Sequence, residues 1–489
     1  MAAAFSVNEL IKATGGILKG AADTDIRAAG ISTDTRTLRK GEVFLALKGE
    51  NHDAHDHLNE AVARGASLLI VRGEGSSALR PPAGQKNLPP VLTVGDTLLA
   101  YQDIAASYRK KIDPLVIAVT GSVGKTTLKD MIACILKDHV GTYYTKGNIN
   151  NQVGLPRTIL EAGEDTKVLV LEMGLAVSGD IGRLSDIARP DIAVITNVGL
   201  SHRENFDTDD GILKAKFEIT SYMGEGNTLI IDSGGNEDVR EYASRDREGK
   251  GYSLITVAAE GTSVERYADY VVSVVHVDEK DAGISCFNIL EQKSEIKVSF
   301  AIPVPGAFAG ISAAQAAAAS LSACKKLGVK ISLMDAAEAL KNLSRTPHRL
   351  KPILHKGVLI IDDTYNASPD SAKAGLDYMK NVPANKRIAV LGDMNELGAS
   401  SEDVHRDIGA AAAGAGADII YAYGKKAKQI AEGAFKGKVF WFDEDEKNEL
   451  TESLIADVKK GDVVYVKGSR SMKMEEIVTA LTEDNNGES

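Results

Sequence analysis

From Leu115 onwards the sequence repeats one pattern, a short run of apolar residues followed by a helical segment. Runs that are apolar along their whole length are typical of parallel strands covered by helices on both faces. This alternation predicts an α/β fold with doubly wound sheets. The predicted strands are Leu115–Thr120, Val168–Glu172, Ile192–Thr196 and Thr228–Asp232 in one region, and Val358–Asp362, Arg387–Leu391, Ile419–Tyr423, Val439–Phe442 and Val463–Lys467 in a second.

The chain has 489 residues, about three times the length of a usual domain, so more than one domain is expected. The first part differs in texture, because short strand patterns at Val43–Leu47 and Ser67–Val71 mix with helical ones, and a loop containing proline and glycine follows at Ser76–Pro90. We therefore predict three domains, at 1–112, 113–346 and 347–489. The predicted helices around the central strands are Thr126–Lys137, Asp209–Met223 and Ser312–Lys326.

Composition excludes several classes of protein. Fifty-seven Lys and Arg against 68 Asp and Glu give a net charge of −11, which argues against a general nucleic-acid binder. Three cysteines are too few and too scattered for a disulfide framework or a zinc cluster. The N-terminal residues lack the features of a signal peptide, and no apolar run approaches the roughly 20 residues that span a bilayer. We expect a cytoplasmic enzyme without membrane insertion.

The strongest local motif is the segment 119–127, Val-Thr-Gly-Ser-Val-Gly-Lys-Thr-Thr, between the predicted strand at Leu115–Thr120 and a helix. A glycine-rich turn of this kind directs backbone N–H groups and a helix N-terminus at phosphate oxygens. Lys125 would reach the terminal phosphates, and the Thr126 hydroxyl would ligate magnesium. Val119 stands where the usual pattern has glycine, and the alternative is a tight turn with a surface lysine.

Three charged or titratable side chains are candidates for a metal site. Glu172 ends a predicted parallel strand, where a carboxylate beside a phosphate loop can hold magnesium, although many strands end in an acid. His202 follows another strand end, and a lone histidine is more often structural. Lys216 lies in a helical segment, where its spacing from a second lysine is equally typical of a solvated face.

An amide-rich segment, Thr145–Gly154, carries Asn148, Asn150 and Asn151. These side chains would hydrogen-bond a polar ligand or cap the helix that follows. The sequence leaves both alternatives open.

Together these motifs resemble those of the Mur ligases, the ATP-dependent amide-forming enzymes of peptidoglycan precursor synthesis, and most closely the branch that adds D-alanyl-D-alanine. The resemblance covers nearly the whole chain. The matching segments are Thr120–Thr126, Gly147–Pro156, Asp362–Ser371, Val390–Gly398 and Val466–Met474, with Ser32–Arg36 and Gly41–Leu47 similar to the family's UDP-sugar-binding domain.

The resemblance implies a UDP-sugar-binding α/β domain, a central ATPase-like parallel sheet and a Rossmann-like C-terminal domain. It also implies roles for individual residues. ATP would be bound by Thr120, Gly121, Ser122, Val123, Gly124, Lys125, Thr126, Thr127, Arg349, Asp363, Tyr365 and Asn366; Mg²⁺ by Thr126, Glu172, His202 and Lys216; and substrate by Thr35, Arg36, Asn148, Asn150 and Asn151. Lys125, Lys216 and His202 would be catalytic, with Lys216 converted to a carbamate.

The implied reaction joins D-alanyl-D-alanine to a UDP-N-acetylmuramoyl-tripeptide through an acyl phosphate, in a monomeric enzyme. Two alternatives remain: a Mur-like ligase with a different amino acid or peptide acceptor, and a nucleotide-binding partner without catalysis. The chain departs from the family at His348, which replaces the glycine of a Gly-Arg element, and at Phe308, Ala309 and Ser312, where the family has adenine-side residues. Base contacts are therefore expected to differ.

Overall fold

The computed structural model describes residues 4–20, 27–49, 51–73, 88–199, 206, 209–277, 283–306 and 308–483. Within them, three α/β units follow one another along the chain, each with its own parallel or mixed sheet. The predicted fold class is confirmed. No helix of these ranges combines the length and the apolar composition that a membrane span requires.

The N-terminal unit is built on a small mixed sheet in the order β2-β7-β6-β5-β4, in which only β2 runs antiparallel to its neighbour. A separate antiparallel pair joins β1 to β3. Its strands are β1 Phe5–Ser6, β2 Ile17–Lys19, β3 Arg27–Ala28, β4 Ile31–Ser32, β5 Val43–Leu45, β6 Leu68–Arg72 and β7 Val91–Val94, and its helices are α1 Val7–Thr14, α2 Leu58–Ala63 and α3 Thr97–Ile112.

Helix α3 ties this unit to the next one. Tyr101 and Tyr108 are buried in an apolar core shared with residues of the central unit. The Tyr108 hydroxyl donates to Ala162 O at 2.8 Å, and Gln102 donates to Gln152. The two units are therefore packed through a continuous core.

The central unit has a large sheet in the order β16-β15-β14-β13-β12-β11-β8-β10-β9, parallel from β9 to β14 and antiparallel beyond. Its strands are β8 Leu115–Thr120, β9 Thr142–Tyr144, β10 Val168–Glu172, β11 Ile192–Ile195, β12 Thr228–Asp232, β13 Ser253–Ala259, β14 Tyr270–Val277, β15 Ser285–Glu291 and β16 Ile296–Ile302. Its helices are α4 Lys125–Leu136, α5 Gly154–Glu161, α6 Asp180–Ala188, α7 Asp209–Phe217, α8 Glu237–Lys250, α9 Phe308–Lys326 and α10 Leu333–Lys341.

The C-terminal unit has a sheet in the order β17-β18-β22-β19-β20-β21, parallel except for β17. Its strands are β17 Lys351–His355, β18 Val358–Asp362, β19 Arg387–Gly392, β20 Ile419–Tyr423, β21 Lys438–Phe442 and β22 Val463–Lys467. Its helices are α11 Pro369–Asn381, α12 Ser401–Gly414, α13 Lys428–Gly433, α14 Lys447–Asp457 and α15 Glu475–Thr482.

The predicted strands of both large sheets are present, with boundaries that differ by a residue or two. Strand β11 ends at Ile195, one residue earlier than predicted, and the next residue, Thr196, donates a hydrogen bond from its hydroxyl to Val123 O in the turn after β8. Helix α7 ends at Phe217 and continues as the 3-10 turn Glu218–Thr220. The predicted loop at Ser76–Pro90 falls mostly outside the described residues.

The order of the central strands positions the site. Strand β8 lies between β10 and β11, so the chain leaves β8 towards β9 on one side and leaves the adjacent β10 towards β11 on the other side. In open α/β sheets the crevice at the carboxyl ends of such strands is where ligands bind. Thr120 and Glu172 end β8 and β10 at this edge.

Candidate functional site

The turn after β8 has a geometry that requires glycine at two positions. Gly121 has φ of 143° and Gly124 has φ of 84°, both in the region that L side chains rarely adopt. Gly121 also lies directly against the Thr196 side chain, where a Cβ atom would overlap the hydroxyl. Helix α4 then begins at Lys125, so its N-terminus faces the turn.

Neighbouring segments hold this turn in shape. Asn197 Oδ1 accepts hydrogen bonds from the N–H groups of Ser122 at 3.1 Å and Val123 at 2.9 Å. The Thr196 hydroxyl donates to Val123 O at 2.6 Å. Lys125 Nζ donates to Gly121 O at 2.7 Å, which places the ammonium inside the turn.

Glu172 presents a carboxylate oxygen that fits a metal ion. Its side chain is buried at the end of β10, and Oε1 accepts a hydrogen bond from Asn150 Nδ2 at 2.7 Å. The second oxygen, Oε2, is buried and finds no hydrogen-bond partner in the described part of the chain. Burying a carboxylate oxygen unpaired is costly, and a hard cation is the partner that oxygen ligands suit. The same ranges contain no group of three or more His, Cys, Asp or Glu side chains placed so that it could hold a metal ion.

Lys216 is a fully buried amine on α7. Its Nζ has no hydrogen-bond partner among the residues described. Burial, and secondarily the charge of Lys125, hold the pKa of Lys216 well below its ordinary value, with Asp370 opposing. Burial likewise lowers the pKa of Lys125, which the nearby Glu172 carboxylate partly offsets.

The C-terminal unit supplies the opposite wall of the site. The Arg349 guanidinium stacks over the Tyr365 ring at 4.2 Å from its centroid. Asp363 is buried, and its Oδ2 accepts hydrogen bonds from Lys467 Nζ at 2.5 Å and from the Tyr465 hydroxyl at 3.1 Å. Burial raises the pKa of Asp363, and the Lys467 ammonium opposes that rise.

These two walls enclose a cleft of about 310 Å³, here called the central cleft. The predicted site residues that line it come from both units. They are Ser122, Val123, Gly124, Lys125, Thr126, Thr127, Asn148, Asn150 and Glu172 from the central unit, and Arg349, Asp363, Tyr365 and Asn366 from the C-terminal one.

Other predicted residues lie elsewhere. Thr120 is buried behind the turn, where its hydroxyl donates to Met173 O. Asn151 Oδ1 accepts from the N–H groups of Val153 and Gly154, so this side chain takes the capping alternative. His202 lies outside the described residues.

The predicted substrate residues Thr35 and Arg36 belong to the N-terminal unit and do not line the central cleft. Thr35 is buried. Arg36 is exposed and pairs with Asp34 at 2.7 Å, which lowers the pKa of Asp34 to about 2.

Several residues of the site were missed at the sequence level. Asn197 holds the phosphate loop, and its position just after a predicted strand at the same sheet edge was the available signal. Lys467 lines the cleft and partners Asp363, yet it is the last residue of an apolar strand. Asn395 and Glu396 also line the cleft, in the segment Val390–Gly398, which the family resemblance singled out without giving these two residues a role.

His348 and Phe308 show how the departures from the family are accommodated. His348 adopts φ of 59° and its Nδ1 pairs with Asp362 Oδ2 at 2.9 Å, so a side-chain contact accompanies the left-handed backbone. Phe308 lines the cleft and packs against the C-terminal core, whereas Ala309 and Ser312 are buried.

Comparison with known proteins identifies the family. Residues 119–320 match the Mur ligase middle domain, and residues 348–470 match the Mur ligase, glutamate ligase domain. UDP-N-acetylmuramoyl-tripeptide–D-alanyl-D-alanine ligase of Bacillus subtilis (strain 168) is 36% identical over 462 residues, 93% of each chain. The chain belongs to the Mur ligase family. The predicted family is thereby confirmed.

Solved structures of Mur ligases agree with this assignment. MurF from Acinetobacter baumannii superposes with a TM-score of 0.85 at 30% identity, covering 99% of this chain and 100% of that one. The MurF ligase of Thermotoga maritima in complex with ADP gives a TM-score of 0.76 at 29% identity, over 93% of this chain and 97% of that one.

Proposed function

We propose that this Mur ligase joins D-alanyl-D-alanine to the terminal carboxylate of a UDP-N-acetylmuramoyl-tripeptide, with hydrolysis of ATP to ADP and phosphate, in peptidoglycan precursor biosynthesis. The observation that carries the proposal is the phosphate loop at one wall of a cleft whose other wall comes from a second unit. Relatives that are named for this activity match nearly the whole chain, and they support both the UDP-N-acetylmuramoyl-tripeptide and D-alanyl-D-alanine as substrates.

The reaction proceeds in two transfers. A carboxylate oxygen of the tripeptide attacks the γ-phosphorus of ATP, and ADP leaves, which gives an acyl phosphate. The amine of the dipeptide then attacks the acyl carbon, phosphate leaves and a proton is lost. The first step brings a carboxylate towards a triphosphate, so positive charge and positioning are the main requirements of the protein.

The residues of the central cleft meet those requirements. Lys125 and the backbone of the turn would bind the β- and γ-phosphates, and the N-terminus of α4 adds its partial positive charge. On the other wall, Arg349 and Tyr365 would bind the nucleotide together with Asn366. Closure of the two walls would exclude water, which hydrolyses an acyl phosphate.

Thr126, Glu172, His202 and Lys216 would hold magnesium, which screens the charge between the carboxylate and the triphosphate. The unpaired Glu172 Oε2 is the observation in favour. The lowered pKa of Lys216 favours a neutral amine, the form that attacks carbon dioxide to give a carbamate and a proton. That change would turn a buried cation into an anion suited to the metal.

The first unit, proposed as domain 1–112, would bind the UDP-sugar through Thr35 and Arg36, with Asn148 and Asn150 near the peptide end, whereas the Asn151 side chain bonds the start of α5. The proposed central and C-terminal domains are 113–346 and 347–489. The enzyme would act as a monomer in the cytoplasm on small-molecule substrates.

Product identification tests the function. The chain is incubated with ATP, Mg²⁺ and a panel of UDP-N-acetylmuramoyl peptides with and without dipeptides, and products are weighed by mass spectrometry. The expected product is the tripeptide substrate plus one D-alanyl-D-alanine minus one water. A product only with another amino acid or peptide would assign a different acceptor, and ATP binding without ADP formation would assign a non-catalytic role.

A further inference from the structure

Lys129 lies one helical turn after Lys125 on α4, and its long charged side chain is only 1% exposed. Its Nζ donates to Thr145 O at 2.7 Å and to Gly147 O at 3.0 Å. The adjacent Asp130 carboxylate lies 2.8 Å away. A buried ammonium is retained in proteins only where such partners satisfy it, so this side chain is built into the 145–147 backbone.

The backbone that Lys129 holds is in turn bonded to Glu172. Thr145 N donates to Val170 O at 3.0 Å, and Thr145 Oγ1 accepts a hydrogen bond from Glu172 N at 3.0 Å. At the other end of the same segment, Asn150 Nδ2 donates to Glu172 Oε1 at 2.7 Å. Asn150 O also accepts from Gly174 N at 2.8 Å. The segment 145–150 therefore bonds Glu172 through both its main chain and its side chain.

When one oxygen of a metal-binding carboxylate is hydrogen-bonded and the other is unpaired, the hydrogen-bond donor sets the orientation of the carboxylate. Asn150 is that group, and Lys129 fixes the start of the segment that carries Asn150. Among the described residues, the polar and ring partners of the Lys129 ammonium are Thr145 O, Gly147 O, the Asp130 carboxylate and the Tyr144 ring, and all of them lie outside the glycine turn.

We propose that Lys129 is a positioning residue, which holds the segment 145–150 so that Asn150 aims the free oxygen of Glu172 at the metal ion. The inference rests on the proposed function, because it concerns the same site. Residues that orient a metal ligand typically contribute about tenfold to 100-fold in metal affinity.

The test measures metal binding without turnover. Mn²⁺ is titrated into the full chain with ADP present, and the concentration of free Mn²⁺ is followed by electron paramagnetic resonance. The affinity of the chain for ADP is measured separately without metal. In Lys129→Met we expect Mn²⁺ affinity to fall about tenfold or more, with metal-free ADP affinity unchanged. Asn150→Ala should weaken Mn²⁺ binding as well, and the double variant should lose less than the sum of the two, because both act on one carboxylate.

Lys386→Met is the matched control. Lys386 Nζ also donates to a backbone carbonyl, Asp457 O at 3.0 Å, but it lies in the C-terminal unit away from the cleft. This variant should lower thermal stability without altering Mn²⁺ affinity. If Lys129→Met does not fold, Thr145→Val is measured in its place. This variant removes the hydroxyl that accepts a hydrogen bond from Glu172 N, and Mn²⁺ affinity should fall in the same way.

The outcomes separate the two proposals. Equal Mn²⁺ affinity in the native chain and in folded Lys129→Met, or strictly additive losses with Asn150→Ala, would overturn the positioning role alone. A native chain that binds neither ADP nor Mn²⁺ with ADP would overturn the proposed function and this role together.

Discussion

The two units that form the central cleft differ in whether their buried titratable side chains have hydrogen-bond partners. In the central unit, Glu172 lines the cleft and Lys216 does not, yet Glu172 Oε2 and Lys216 Nζ are both buried without hydrogen-bond partners in the described residues. On the C-terminal side, Asp363 and Lys467 are just as buried but bond each other, and Tyr465 completes the set. Unpaired buried polar groups cost stability, and we propose that a ligand completes these two. On the C-terminal side, Asp363 and Lys467 already satisfy each other.

The largest effect is expected at the phosphate loop. Lys125→Ala removes the ammonium that would contact the terminal phosphates, and ADP formation should fall by about 1,000-fold or more. The measurement is substrate-dependent ADP release by a coupled assay, with thermal unfolding to show that the fold is retained. Lys137→Ala, an exposed lysine just past the end of the same helix, is the control and should keep full activity. Unchanged ADP release in Lys125→Ala would contradict the assignment of this wall.

Lys216→Ala tests the unpaired amine. Activity should fall by about 100-fold or more, because a charge next to the proposed metal is lost, and short carboxylates such as formate or acetate should restore part of it. Lys214→Ala, two residues earlier on the same helix and exposed in an ion pair with Asp210, should behave like the native chain. Full activity of Lys216→Ala without added carboxylate would argue against the carbamate.

A stability comparison tests the difference between the two units directly. Lys467→Met leaves Asp363 buried without its cation and should cost about 3–5 kcal/mol of unfolding free energy. Lys216→Met removes an amine that has no partner, and metal-free stability should not fall. The one tryptophan of the sequence, Trp441, lies in the C-terminal unit and reports its unfolding by fluorescence. Circular dichroism follows the whole chain.

A control for that comparison removes both charges of the pair. Lys467→Met with Asp363→Asn should recover part of the stability lost in Lys467→Met, since no uncompensated carboxylate then remains. Equal losses in Lys467→Met and Lys216→Met would contradict the distinction between the two units.

The smallest expected effect is a pH dependence of stability that arises in the C-terminal unit, at His405 on α12. His405 is buried, its Nε2 accepts from Met394 N at 3.0 Å and its Nδ1 lies 2.6 Å from Ser401 O. Burial lowers the pKa of His405 below the ordinary 6.5. The unfolded chain therefore binds more protons below that pH, and stability falls as the pH is lowered.

His405→Gln removes this titration. Its stability should be lower than that of the native chain at pH 7, but should decline less steeply between pH 7 and pH 5 when Trp441 fluorescence is followed in denaturant. A native and a variant chain with parallel pH dependence would show that His405 does not titrate in this way.

Much of the fold was accessible from the sequence, because its signals are local. Continuous apolar runs such as Val168–Glu172 predicted the parallel strands, and the sequence around Lys125 predicted the order of strand, glycine turn and helix that the structure shows, while its binding of phosphate stays a prediction. The ends of elements were less accessible, since they depend on tertiary contacts. Strand β11 ends one residue before its predicted end, and the next residue, Thr196, bonds Val123, which is more than 70 residues away in sequence.

The sequence predicted only some of the residues that form the site, because their roles depend on tertiary contacts. The sequence left open whether the three asparagines contact a ligand or cap a helix. In the structure, Asn151 accepts a hydrogen bond from the first residue of α5, whereas Asn150 donates one to Glu172. Lys216 had the spacing of a surface lysine, and only the packing of α7 shows it to be buried. Lys467 and Asn197 act through partners that are distant in the chain.

The central claim is that this cleft activates a carboxylate by phosphorylation. The most direct measurement uses UDP-N-acetylmuramoyl-tripeptide with both oxygens of the terminal carboxylate labelled with ¹⁸O, together with ATP, Mg²⁺ and D-alanyl-D-alanine. We expect one labelled oxygen in each phosphate released, because the acyl phosphate carries that oxygen away from the peptide. Amide product accompanied by unlabelled phosphate would contradict the claim.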